Sequence, residues 1–129
     1  VDIMDAKQHD YILSITSHMP HLIAYNIVNT TINAQDKKES DVVKYSAGGL
    51  RDFTRIAASN PIMWRDVFIQ NKKNTSKIID KFIENLEDLK KAIENEDGKK
   101  LEEIFTKTKK IRKEILEAGQ DISKPNFGR

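Results

Sequence analysis

Cysteine is absent from this sequence of 129 residues, and proline and glycine are scarce, at three and five residues. Without cysteine the chain has no disulfide, no thiolate metal site and no cysteine nucleophile. No run approaches the roughly 20 apolar residues of a membrane-spanning helix, and the first ten residues lack the basic-then-apolar order of a secretory signal. These absences favour a cytoplasmic protein without a membrane partner.

Charge of one sign is also lacking, since 22 basic and 20 acidic residues leave a net charge of +2. So small an excess does not indicate a nucleic-acid partner. The length predicts a single helical domain over residues 1–129. Because the sequence begins with Val1 rather than methionine, we expect it to be a piece of a longer protein.

Apolar residues recur at spacings of three and four along most of the chain, which predicts an all-α fold of about six helices. The first helix is expected over residues 3–32. Pro20 should kink this helix or split it in two, because proline has no backbone N–H to donate. A polar loop is predicted over residues 33–40.

A pair of glycines, Gly48 and Gly49, interrupts the pattern after a short apolar turn at residues 42–45. Glycine permits backbone conformations that are closed to other residues, and it lets another group approach the main chain closely. A short helix is then predicted over residues 50–58.

The next helix should begin at Asn60, a plausible N-cap, because Pro61 suits the first helical position. It is expected to run to about residue 95, with a break near residues 71–74.

A turn is predicted at residues 96–98, and the last helix should stop at Gly119. We expect an irregular tail over residues 120–129. The two long C-terminal helices are predicted to form a hairpin. The two helices cannot bury their apolar faces completely against each other. We therefore predict a homodimer with intertwined helices.

All three histidines, His9, His18 and His21, lie near the N-terminus. His18 and His21 are three residues apart, so one helical face can present both, whereas His9 lies roughly opposite. No carboxylate completes an H-E-x-x-H pattern, and we therefore expect no metal site. A histidine that caps a helix, fills the core or lies exposed is the alternative for each ring.

Three arginines, Arg51, Arg55 and Arg65, occur in a region that otherwise uses lysine. Arginine suits a carboxylate held by two parallel hydrogen bonds. Asp52 and Asp66 lie close enough in sequence to pair with these arginines instead, and spacing alone favours such a structural ion-pair network.

Trp64 is the only tryptophan of the chain. A single tryptophan between a helix cap and a helix usually packs in the core. Alternatively, it can form the wall of a pocket for a ring-shaped ligand.

Three segments together resemble one known family. They read S-H-x-P-H at residues 17–21, G-G-x-x-D-x-T-R-I-A at 48–57 and P-x-x-W-R-D at 61–66. In order and spacing they are similar to the C-terminal domain of prephenate/arogenate (cyclohexadienyl) dehydrogenases. Each segment alone is weak, whereas the combination is highly specific.

The resemblance implies part of an oxidoreductase of tyrosine biosynthesis, which oxidatively decarboxylates prephenate or arogenate and passes a hydride to NAD or NADP. In such enzymes an N-terminal domain binds the nucleotide and holds the principal catalytic histidine. This chain has no G-x-G-x-x-G motif, so we expect both to be absent from it. The chain alone is predicted to be inactive, with no catalytic residue and no cofactor of its own.

The resemblance assigns substrate-side roles to seven residues. Arg55 matches the arginine that holds a substrate carboxylate, and His21 matches a pocket histidine. Gly48 and Gly49 match backbone that closes around the ligand. Trp64 and Asp52 match residues that line or gate the site, and His9 matches a less central histidine.

The partners implied are a second copy of the chain, the nucleotide-binding domain, prephenate or arogenate, and tyrosine as a regulator. Two other functions stay open. One is a non-catalytic helical dimer domain that binds an aromatic amino acid regulator. The other is a helical interaction module in which the arginines and aspartates form structural ion pairs.

Overall fold

The computed structural model describes residues 4–34 and 48–119, and the predictions for residues 35–47 and 120–129 lie outside this range. Every regular element in the described residues is helical, which confirms the all-α prediction. In chain order the elements are α1 (Ala6–Leu13), a π-helical turn (Ser14–His18), α2 (Met19–Asn33), α3 (Gly48–Ala57), α4 (Pro61–Gln70), α5 (Lys72–Glu94) and α6 (Gly98–Glu117).

The chain divides into two compact units, one up to Phe82 and one from Ile83 onward, so that the division falls within α5. The first unit contains α1 to α4 and the first part of α5, and the second contains the end of α5 and all of α6. The single domain expected over residues 1–129 stays a prediction.

The first helical run is continuous from residue 6 to residue 33 and is not split at Pro20. A π-helical turn precedes the proline, and the Met19 N–H bonds to the Ser14 carbonyl five residues back. Pro20 has no N–H for the usual bond four residues back. The wider turn changes the hydrogen-bond register just before the missing donor, so the helix continues.

The third helix begins at Gly48, two residues earlier than predicted, and it packs against α2. Ala24 of α2 has no exposed surface, and its small side chain suits close packing of helices. Tyr25 Oη donates a hydrogen bond of 2.9 Å to the Ser59 carbonyl. This bond ties the link between α3 and α4 to α2.

The predicted start of α4 is confirmed, because the Asn60 side chain accepts hydrogen bonds from the N–H groups of Ile62 and Met63 at 2.9 and 3.1 Å. The expected break before the long helix is also confirmed. It is a single residue, Asn71, between α4 and α5.

The turn between α5 and α6 closes α5 with two hydrogen bonds. The Asp97 N–H bonds to the Ala92 carbonyl at 2.8 Å, and the Glu96 N–H bonds to the Ile93 carbonyl at 3.1 Å. This pairing is the Schellman motif, in which the residue after the C-cap has a left-handed backbone. Glu96 holds that position, with a φ of +52°.

The same turn starts the last helix, because the Asp97 side chain accepts a hydrogen bond of 3.1 Å from the Lys100 N–H. The predicted end is confirmed: α6 closes at Glu117, and Gly119 follows with a φ of +78°. None of the described helices combines the length and apolar content needed to span a membrane.

Replacing Glu96 with glycine should stabilise the chain. A left-handed backbone costs a residue with a side chain about 1–2 kcal/mol, and the greater freedom of glycine in the unfolded chain offsets part of this relief. We expect Glu96→Gly to raise the free energy of unfolding by roughly 0.5–1 kcal/mol, measured by urea denaturation. Glu94→Gly, the same change inside the last turn of α5, should lower it by about 0.5–1 kcal/mol. Equal destabilisation by both variants would contradict the argument.

Candidate functional site

Trp64 of α4 contacts three other aromatic rings in the first unit. Its ring stacks on His21 of α2, with the centroids 3.8 Å apart and the planes inclined by 17°. His18 meets it edge-on at 6.1 Å, and Phe68 lies one turn further along α4 at 5.4 Å. We call these four residues the ring cluster. It brings the first and third motif segments of the sequence into direct contact.

His18 is buried within this cluster, and Asn71, the residue between α4 and α5, contacts it. The Asn71 Nδ2 lies 3.1 Å from His18 Nδ1 and donates to the Asp10 carbonyl at 2.8 Å. Asn71 therefore joins α1, the π-helical turn and the junction of α4 with α5.

Burial lowers the pKa of His18 below its ordinary value of 6.5. Removal from water disfavours the charged imidazolium, and this is the largest cause. The charge of Asp10 opposes the shift, whereas His21 and His9 act in the same direction as burial. Burial therefore favours the neutral form of His18.

The His21 ring is oriented by its own helix. Its Nδ1 lies 3.0 Å from the Ser17 carbonyl, and a carbonyl can only accept, so Nδ1 carries a proton. The second ring nitrogen, Nε2, has no hydrogen-bond partner among the described residues. In the neutral ring this nitrogen is an acceptor that a ligand can use.

The arginines do not form the ion-pair network that spacing favoured. Arg65 pairs with its neighbour Asp66 at 2.9 Å. Within residues 4–34 and 48–119, the side chains of Arg51, Arg55 and Asp52 have no ion-pair partner, and all three are exposed. No carboxylate of the described residues therefore occupies the guanidinium groups of α3.

The glycine pair lies in the first turn of α3 and is exposed. An added Cβ at Gly48 or Gly49 would meet nothing within 4 Å. The chain's own described packing thus does not require glycine there. The open space would allow a ligand or another polypeptide to approach the backbone closely here.

His9 makes no ring contact with the ring cluster. Its side chain is exposed, and its Nδ1 lies 3.5 Å from Asp10 Oδ1. Among the described residues no group of three histidine, aspartate or glutamate side chains is arranged to hold a metal ion.

The sequence did not identify Phe68 or Asn71 as part of this arrangement, and it gave His18 no role in the candidate site. The spacing of His18 and His21 did indicate a shared face. No signal in the sequence could indicate a bond between Asn71 and a residue 53 positions earlier.

Comparison with known proteins gives one consistent family. The model of the family "Prephenate dehydrogenase, dimerization domain" matches residues 5–107. The chain is 38% identical over 112 residues to the cyclohexadienyl dehydrogenase of Zymomonas mobilis subsp. mobilis, which covers 87% of this chain and 38% of that protein. It is 35% identical over 109 residues to the prephenate dehydrogenase of Bacillus subtilis. That match covers 84% of this chain and 29% of the Bacillus protein.

A solved structure agrees with these relatives. The crystal structure of prephenate dehydrogenase from A. aeolicus in complex with hydroxyphenyl propionate and NAD+ matches with a TM-score of 0.82 at 43% identity. The match covers 89% of this chain and 40% of that one. The chain thus spans less than half the length of the relatives that it matches.

The lowered pKa of His18 predicts a pH-dependent stability. As the pH falls below about 6.5, the unfolded chain takes up a proton at His18 that the folded chain resists. The free energy of unfolding should therefore fall with pH, by at most about 1.4 kcal/mol per pH unit from this group. Urea denaturation at pH 7.5 and pH 5.5 measures the change.

The contribution of His18 is isolated by a variant. His18→Asn keeps an acceptor near the position of Nδ1 but does not titrate, so its stability should depend less on pH over this range. The exposed His9→Asn should behave like the unaltered chain. The same pH dependence in all three proteins would show that His18 is not the group responsible.

Proposed function

This chain belongs to the prephenate dehydrogenase dimerization-domain family, and we propose that it supplies the substrate-side wall of a prephenate or arogenate dehydrogenase site. The observation that carries the proposal is the stack of His21 on Trp64, at 3.8 Å between centroids. These residues are 43 positions apart, and each belongs to a motif of the family. Their contact, together with the packing of α3 against α2, gathers all three motif segments in one unit.

The available groups suit a small ring that carries carboxylates. Arg55 has no ion-pair partner among the described residues. Its guanidinium can therefore hold a carboxylate by two parallel hydrogen bonds. The stacked faces and edges of His21 and Trp64 can border the ring. The exposed glycine backbone of α3 lets such a ligand approach closely. In this proposal Asp52 lines or gates the entrance, and His9 lies at its margin.

The nucleotide is bound elsewhere. The described residues are helical throughout the regular elements, and the sequence lacks the glycine-rich turn between strand and helix that holds a dinucleotide. This chain therefore does not fit NAD or NADP. In the complete reaction a hydride leaves the ring carbon that bears the hydroxyl, and carbon dioxide departs as the ring becomes aromatic. This chain's residues bind and orient the substrate for that step, and another domain supplies the rest.

The second unit supports the homodimer. It buries Ala92, whereas three large apolar side chains of α5 and α6 remain more than half exposed: Leu86, Ile93 and Phe105, at 53%, 62% and 54%. A soluble monomer rarely leaves so much apolar surface in contact with water. We propose that a second copy covers these faces.

The rival functions receive less support. The relatives are named as dehydrogenases, which does not favour a non-catalytic domain for an aromatic regulator. The exposed arginines of α3 do not favour a module built on structural ion pairs. Binding of tyrosine and a cytoplasmic location stay predictions.

Loss of Arg55 should weaken substrate binding. Removing a hydrogen-bonded charge from a carboxylate costs about 1.5–3 kcal/mol, which is roughly a ten- to hundred-fold rise in Kd. We expect this for Arg55→Ala in calorimetric titration of the chain with prephenate and with arogenate. Arg55→Lys should recover part of the affinity, because lysine keeps the charge but not the paired geometry.

Arg51→Ala is the matched control, since it removes the same charge one turn earlier on α3 and should leave the Kd nearly unchanged. If the chain alone binds neither compound, the titration is repeated with a chimera. This protein joins the chain to the part of the A. aeolicus prephenate dehydrogenase that it does not match. An unchanged Kd in Arg55→Ala, or no binding by the chimera, would refute the role of Arg55.

A charge in the apolar face of α6 should disrupt the dimer. Phe105→Glu would bury a carboxylate without a partner, which costs several kcal/mol. We expect a monomer in sedimentation equilibrium at concentrations where the unaltered chain is dimeric. Lys107→Glu changes the charge two residues away, on the other side of the helix, and should stay dimeric. A dimeric Phe105→Glu protein would place the interface elsewhere.

A further inference from the structure

Asn71 uses its whole side-chain amide in hydrogen bonds. Its Nδ2 donates to the Asp10 carbonyl at 2.8 Å and lies 3.1 Å from His18 Nδ1, and its Oδ1 accepts from Asn74 Nδ2 at 3.0 Å. The two groups reached by Nδ2 belong to α1 and to the π-helical turn, more than 50 residues earlier in the chain. Asn71 is therefore not a simple helix junction.

The orientation of this amide follows from the Asp10 carbonyl. A carbonyl oxygen only accepts, so the amide nitrogen, and not the amide oxygen, must face it. With the nitrogen so placed, its second hydrogen points to His18. The nitrogen has no lone pair to offer, and His18 Nδ1 must therefore be the acceptor of that bond.

An accepting Nδ1 determines the state of the His18 ring. The single proton of the neutral ring must lie on Nε2, since Nδ1 carries the lone pair that receives the bond. A second proton at Nδ1 would set two donors against each other across 3.1 Å. Of the charged groups near the ring, Asp10 favours the cation, whereas His9 and His21 oppose it, and burial opposes it most.

We infer that Asn71 is a positioning residue of the substrate-side site, which holds His18 neutral with its proton on Nε2 and with its ring edge against Trp64. Trp64 in turn carries His21 on its face. The consequence for catalysis rests on the proposed function, whereas the state of the His18 ring does not.

This arrangement gives the two histidines opposite hydrogen-bonding character. His18 is left with an Nε2–H donor, which has no partner among the described residues. His21 donates through Nδ1 to the Ser17 carbonyl, which leaves its Nε2 as an acceptor in the neutral ring. One donor and one acceptor are thus held against the same tryptophan. A single rotation of the Asn71 amide, or its loss, would remove that distinction.

The ring state can be measured without any substitution. Long-range ¹H–¹⁵N correlation spectra of the ¹⁵N-labelled chain distinguish protonated from unprotonated imidazole nitrogens. At pH 7 we expect His18 to show an unprotonated Nδ1 and a protonated Nε2, and His21 to show a protonated Nδ1. A protonated Nδ1 in His18 would overturn the inference by itself.

Substitution at position 71 then tests the cause. Asn71→Asp has nearly the same shape but presents an acceptor to His18, so the proton should move to Nδ1 and the midpoint of the His18 titration should rise. Asn71→Ala removes the bond, and both neutral tautomers should become populated. Asn85→Asp introduces the same charge at an exposed position of α5 and should leave the His18 spectrum unchanged. An unchanged His18 spectrum in Asn71→Asp would also overturn the inference.

Activity is measured separately, in the chimera with the remainder of the A. aeolicus enzyme. There Asn71→Asp should lower kcat/KM for prephenate on the order of tenfold and shift its pH profile, whereas Asn85→Asp should do neither. Tryptophan fluorescence and the unfolding midpoint report whether each variant is folded. If the spectra agree with the inference but the unaltered chimera does not turn over prephenate, the proposed function fails and the tautomer assignment stands. If the chimera is active and the Asn71→Asp spectra change but kcat/KM does not, the positioning role fails.

Discussion

The contact on which the first unit depends is the face-to-face stack of His21 on Trp64. Trp64 is one of three apolar side chains that are buried in the described residues, and the other two are alanines. It also meets His18 and Phe68. An aromatic side chain buries more apolar surface than any other and gains further energy from ring geometry. The placement of α4 against the helix that carries both histidines therefore rests largely on one indole.

The remaining buried side chains of the described residues are polar, and each needs a hydrogen-bond partner. Ser14, His18 and Thr75 are as buried as the apolar core residues. Ser14 Oγ donates to the Tyr11 carbonyl at 2.6 Å, and His18 receives the Asn71 amide. Buried polar groups cost free energy unless they are paired. Ser14 bonds within its own helical run, and Thr75 Oγ1 has no hydrogen-bond partner among the described residues. Of the three, only His18 is paired with a distant element, through Asn71, and that bond favours one arrangement of the helices.

Local features of this fold could be predicted from the sequence, because they depend on neighbouring residues. The Asn60 cap follows from a side chain that bonds to backbone N–H groups two and three positions on. The stop at Gly119 follows from a residue that adopts a positive φ without steric cost. The π-helical turn could not be predicted, since the same missing donor at Pro20 is compatible with a kink, a break or a change of register. The bond between Asn71 and His18 depends on tertiary packing, about which periodicity contains no information.

The residues of the candidate site could be named from the sequence, and their roles stay predictions, whereas the contacts among them could not be predicted. Arg55 and Trp64 were identified through family motifs, whereas spacing alone favoured an ion-pair network that the exposed Arg51, Arg55 and Asp52 do not form. The difference has a physical cause. A guanidinium that binds a ligand must stay accessible, and it costs little to leave it in water. A histidine that must hold one proton on one nitrogen needs burial and a fixed partner. In the proposed site the two tasks therefore lie apart: α3 presents charge at the surface, and the residue between α4 and α5 holds a neutral ring inside.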